Sequence, residues 1–125
     1  MKKIGKKQLS YLTLSILWGS FIFYLSSIPN LNTGFPIFFD LLIRKFLHVF
    51  IFFVLAYLVS QTIHKTKKIH LSFVILSTIY YALMDELHQS TVDSRDGNYL
   101  DILIDSIGIF LGILLYKHVT KKLPK

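Results

Sequence analysis

Residues 71–89 read LSFVILSTIYYALMDELHQ, an apolar run that closes on Asp85, Glu86, His88 and Gln89. A helical run of about 20 residues, at ~1.5 Å rise each, spans a ~30 Å hydrocarbon core. Three more stretches of similar length accompany it, and together they predict helices over about 9–28, 41–60, 71–89 and 99–117. The runs are continuously apolar rather than alternating, and four are too few to close a barrel, so strands are excluded. The expected fold is all-α: a polytopic membrane protein folded as a four-transmembrane-helix bundle. The first three runs read clearly as spans. The fourth opens on Asp101 and Asp105 and is expected to score lower in hydropathy.

Composition agrees with life in lipid. Of 125 residues, 53% are hydrophobic and 17% charged, with a mean hydropathy of +0.54, which excludes an ordinary soluble domain. Cysteine is absent, so disulfides and thiolate metal sites are excluded. No repeat or low-complexity tract divides the chain, which reads as a single membrane domain over 1–125. Lys2, Lys3, Lys6 and Lys7 precede an apolar run too long for a usual signal peptide, with no small-x-small cleavage site before Pro29; a retained signal-anchor helix is expected. Pro29, Asn30, Asn32, Gly34 and Pro36 break the first connection. Asp40 is placed to cap the second helix.

The basic residues set an orientation. Lys2, Lys3, Lys6, Lys7, Lys65, Lys67, Lys68, Lys117, Lys121, Lys122 and Lys125 all fall at one end of the predicted spans. By the positive-inside rule that end is cytoplasmic, as are both termini. The same distribution accounts for the net charge of +7 without nucleic acid, which is not an expected partner. Tyr11 and Tyr116, toward the inner face, and Tyr24 and Tyr99, toward the outer, fit interfacial aromatic belts.

At the opposite end every span delivers polar groups: Ser26 and Ser27; Arg44, Lys45 and His48; Asp85, Glu86, His88 and Gln89; Arg95, Asp101 and Asp105. Lys45 and His48 share a helical face, as do Asp85, His88 and Gln89, and Asp101 and Asp105. Gly108 and Gly112 continue the Asp101–Asp105 stripe and would let another backbone come close. An ionisable group within a span is a functional-site candidate by default. The bland alternative is a structural salt-bridge network pairing Asp105 with Lys45 and Asp101 with Arg95. Ser26 and Ser27 could simply bond within their own helix.

These residues resemble the VanZ-like family of small bacterial membrane proteins. The matching pieces are Ser26-Ser27-x-Pro29, Lys45-x-x-His48, Asp85-Glu86-x-His88-Gln89, and Arg95-x-Gly97 followed by Asp101, Asp105, Gly108 and Gly112. Val92-Asp93-Ser94 departs from the Pro-Gly pair that the family often carries before the arginine. The resemblance implies a multi-pass protein of the bacterial cytoplasmic membrane. The family's namesake is linked to reduced susceptibility to teicoplanin-type glycopeptide antibiotics.

Three functions compete. The favoured one is non-catalytic: an outward-facing pocket binds an anionic lipid or lipid-linked wall precursor through Lys45, His48, Asp85, Glu86, Gln89, Arg95, Asp101 and Asp105, lowering glycopeptide susceptibility. The alternative is a membrane-embedded enzyme using Glu86, His48 or Asp85 in acid/base chemistry on such a substrate. A divalent metal on Asp85, Glu86, Asp101 and Asp105 is disfavoured because no HExxH or other closed ligand set is present, so neither metal nor cofactor is expected. Ion transport ranks last: the inner halves of the spans carry little beyond apolar residues, Ser and Thr, and four short helices would need to form a homo-oligomer.

Overall fold

The computed structural model describes residues 5–63 and 70–121. It contains four helices: α1 (Lys6–Ser26), α2 (Ile37–Thr62), α3 (His70–Gln89) and α4 (Tyr99–Lys121). All four expected helices are present, with α2 beginning four residues earlier and α4 ending four residues later than the apolar pattern suggests. Lys2, Lys3, Lys65, Lys67, Lys68, Lys122 and Lys125, which carry much of the charge asymmetry, lie outside the described residues.

The early start of α2 displaces Asp40 from its expected role. Pro36 occupies the N-cap position, where a proline's fixed φ and missing N–H are tolerated. Asp40 therefore sits inside the first turn. Its Oδ1 accepts hydrogen bonds from the Thr33 backbone N–H at 2.7 Å and the Thr33 hydroxyl at 2.8 Å. Its Oδ2 pairs with Arg44 Nη2, also at 2.7 Å. One carboxylate thus ties the first connection to α2 and steadies Arg44. Asn30 (φ 51°) and Gly34 (φ 75°) supply left-handed turns in that connection.

Among the described residues, three helices are long and apolar enough to cross a membrane: α1, α2 and α4, with hydropathies of 1.4, 2.0 and 1.8. This reverses the expected ranking. The carboxylates of α4 are confined to its first two turns, leaving a long apolar remainder. In α3, which has 20 residues, Ser, Thr and Tyr interrupt the run before it ends on Asp85, Glu86, His88 and Gln89. The outward faces of all four helices are apolar: Leu17 is 60% exposed, Leu76 70% and Phe110 61%. Such faces suit hydrocarbon, not water.

The core is small and lies where the helices meet, with Ile22, Phe52, Leu55, Ala56, Val74, Ala82, Ile109 and Ile113 buried. Helix α2 is central, touching each of the other three, and packs most extensively against α4. The α2–α4 seam depends on absent side chains. A Cβ at Gly108 would run into the Val49 carbonyl oxygen, and one at Gly112 into that of Phe53. Lipid provides little hydrophobic drive for helices to associate, so backbone proximity and buried hydrogen bonds carry the packing. Two such bonds tie α1 to its neighbours: Trp18 Nε1 donates to the Ile51 carbonyl of α2 at 2.9 Å, and the Tyr81 hydroxyl of α3 to that of Gly19 at 2.5 Å. Tyr116 is buried in the bundle rather than standing in an interfacial belt.

Gly112→Leu is expected to destabilise the bundle by about 1–3 kcal/mol or more through overpacking. Unfolding followed by circular dichroism in detergent checks this; a variant as stable as the native chain would contradict the seam.

Candidate functional site

The acids at the α3 and α4 ends are withdrawn from solvent, and each draws a donor from another segment. Asp85 Oδ1 accepts from Ser26 Oγ at 2.5 Å, tying α3 to α1. Gln89 Nε2, one turn on, donates to Asp85 Oδ2 at 2.8 Å. Both oxygens of this buried carboxylate are therefore satisfied. Ser27 donates to the Phe23 carbonyl in its own helix and also meets His88 Nε2 at 2.9 Å. The His88 ring stacks on Phe23, with centroids 4.3 Å apart. The serines thus reach beyond α1, contrary to the bland reading.

Across the α2–α4 seam, two pairs run in register one turn apart. Lys45 Nζ donates to Asp101 Oδ1, and His48 Nδ1 lies 2.9 Å from Asp105 Oδ1. The expected pairing of Asp105 with Lys45 and Asp101 with Arg95 is corrected by this register. Sequence spacing locates faces on each helix, but not how far one helix slides along the other. Asp105 is fully buried, as its depth along α4 suggested.

Glu86 is held from the α3–α4 turn. Its Oε2 accepts from the Asn98 backbone N–H at 3.0 Å. The Asn98 side chain in turn caps α4 by accepting from the Leu100 N–H at 3.0 Å. This turn presses tightly on α3: a Cβ at Gly97 would come within 2.7 Å of the Glu86 carbonyl oxygen. Ser94 adopts φ 63° just before it. Glu86 is thereby brought to His48 and Asp105; the three residues offer donor atoms that all lie within 4.8 Å of one another. Glu86 Oε1 and Asp105 Oδ2 are buried without a hydrogen-bond partner. Asp85 and Asp101, expected beside Glu86 and Asp105 in any metal set, are instead committed to Ser26, Gln89 and Lys45.

A cavity of about 330 Å³ opens beside this cluster. Arg44, Lys45, His48, Gln89, Arg95 and Asp101 contribute its polar wall. Arg95 Nη2 donates to the Leu25 carbonyl at 3.2 Å. Burial, with the Arg44 charge adding to it, draws the Arg95 guanidinium below its ordinary pKa, while Asp85 and Glu86 oppose that shift. The Nε atoms of both Arg44 and Arg95 are buried without partners. Asp93 and Asp96 remain exposed on the turn, as a solvated loop requires.

All eight expected binding residues therefore lie at one end of the bundle, in two linked groups. Lys45, His48, Gln89, Arg95 and Asp101 line the cavity, with Asp85 behind Gln89; half-buried His48 forms a triad with buried Glu86 and Asp105. Sequence reasoning missed Asn98, whose N-cap position before Tyr99 was a usable signal. It also missed Ser26 as the partner of Asp85, which no spacing rule reveals. Ser26→Ala is expected to cost about 1.5–3 kcal/mol, the range for hydrogen bonds to charged groups. The exposed Ser20 bonds only within its own helix, so Ser20→Ala should change little. Thermal unfolding of the two variants in one detergent measures the difference.

No curated protein and no solved structure matches the chain. The family model described as VanZ/LLP1 matches residues 7–120, a span that takes in all four helices, the cavity and the triad. The chain is a member of the VanZ/LLP1 family of membrane proteins.

Proposed function

We propose that the cavity takes the phosphate-bearing head of an anionic lipid or lipid-linked wall precursor at the outer face of the bacterial cytoplasmic membrane. By occupying that molecule, the protein lowers susceptibility to teicoplanin-type glycopeptides. The observation that carries this reading is the convergence of Arg44, Lys45 and Arg95 on one cavity, with two guanidinium Nε atoms buried and unpartnered. An unpaired buried donor is costly, and a phosphate oxygen relieves that cost through a charge-assisted hydrogen bond. Asp40 and Asp101 hold two of the cations in place without covering their remaining donors. The apolar faces Leu25, Leu31, Leu41 and Leu47 on the same wall suit the first methylenes of an acyl or prenyl chain.

The lysine distribution along the sequence supports the outward orientation. Alkaline phosphatase joined after residue 93 is expected to be active, and the same reporter joined after residue 121 inactive. The inverse pattern would turn the cavity toward the cytoplasm.

Arg95→Gln and Arg44→Gln are each expected to reduce co-purifying phospholipid or lipid-linked precursor at least about tenfold, read by native mass spectrometry. Teicoplanin protection should fall in parallel at unchanged protein level. Unaltered lipid retention in both variants rejects the reading. A second reading, a membrane-embedded enzyme, draws support from His48 and Glu86 beside the cavity. Product formation from lipid-linked precursors, lost in Glu86→Gln, would favour it over binding alone.

A further inference from the structure

Glu86 and Asp105 pose a charge problem that their protein partners do not solve. Both residues are almost completely withdrawn from solvent, at 2% and 0% exposure. Each spends one oxygen within the protein: Glu86 Oε2 on the Asn98 N–H, and Asp105 Oδ1 on His48 Nδ1. Each keeps a second oxygen that is buried and has no partner. The neighbouring carboxylates differ, since Asp85 is met by Ser26 and Gln89 and Asp101 by Lys45. Burying a charge without pairing is strongly unfavourable. A protonated His48 would balance only one of the two carboxylates.

We infer that His48, Glu86 and Asp105 form a binding site for a divalent transition-metal cation of the Zn²⁺ or Mn²⁺ type. A dication balances both carboxylates while leaving the imidazole neutral, the form in which histidine ligates metals. One imidazole nitrogen with two carboxylates suits Zn²⁺ or Mn²⁺ better than the all-oxygen shells preferred by Ca²⁺ and Mg²⁺. The spacing suits it as well. Donors held at ~2.0–2.2 Å from one tetrahedral Zn²⁺ lie roughly 3.3–3.6 Å apart; His48 and Asp105 stand at 2.9 Å and the whole set within 4.8 Å, so modest side-chain shifts would close the shell. The donors come from three helices, so binding would fasten α2, α3 and α4 together where α3 is least apolar. Three protein ligands leave a coordination position open. His48 also lines the cavity, so cation and cavity share a residue. The assignment stands whichever molecule the cavity holds.

The test uses the full chain in detergent, stripped with a chelator and then dialysed against Zn²⁺, with bound metal counted by plasma mass spectrometry. Mn²⁺ binding is read separately from the loss of its free-ion paramagnetic resonance signal. The native chain should take about one equivalent. Glu86→Gln, near in shape and still able to accept from Asn98, and Asp105→Asn should each weaken binding at least about tenfold. Asp93→Asn, on the exposed turn, should bind as the native chain does. Added Zn²⁺ should raise the melting temperature of the native chain by more than that of Glu86→Gln at the same concentration. Absence of stoichiometric uptake by the native chain, or undiminished uptake in both Glu86→Gln and Asp105→Asn, overturns the site.

Discussion

A carboxylate taken out of water must be met by a donor, and four of them are taken out of water at one end of this bundle. That requirement organises the molecule. Asp85 takes its donor from α1, Asp101 and Asp105 find theirs on α2, and Glu86 is met by the turn that leads into α4. The partners are distant in sequence, so each bond fixes the placement of one segment against another. In a bundle whose outer faces are apolar, these contacts specify the packing more sharply than the greasy surfaces can. The candidate site and the architecture draw on the same groups.

The positions of the two arginines follow from this arrangement. Arg44 is braced by Asp40, and Arg95 reaches back to the Leu25 carbonyl. Both are held at the cavity with donor capacity left over. A guanidinium, planar and permanently charged, is suited to such a site in a way that an ammonium is not. Lysine stands at Lys45, where a point charge meets the Asp101 carboxylate.

Much of the architecture was legible from the order of residues. Apolar runs of bilayer length located four helices, and Gly108 with Gly112 foretold a close backbone seam, because the absence of a side chain is a local property. The gathering of polar groups at one end also followed from counting along each run. Register did not. Lys45 meets Asp101 instead of Asp105, a difference of about one helical turn, or ~5.4 Å, which depends on packing along the whole seam. Asp40 was misread because the apolar Ile37, Phe38 and Phe39 belong to α2 itself, so the helix had already begun. The triad was only half visible: His48 and Asp105 stood out, but bringing Glu86 to them required the turn at Gly97 and Asn98.

The glycine seam has a mechanical corollary. Where two backbones touch with no side chains between them, there are no rotamers to adjust and no soft layer to compress, so α2 and α4 form one stiff strut. Any rearrangement of the cavity rim must therefore take place elsewhere. The rest of the cavity rim is the connection between α1 and α2, held to α2 through Thr33 and Asp40, and the turn before α4, held to α1 through Arg95 and the Leu25 carbonyl.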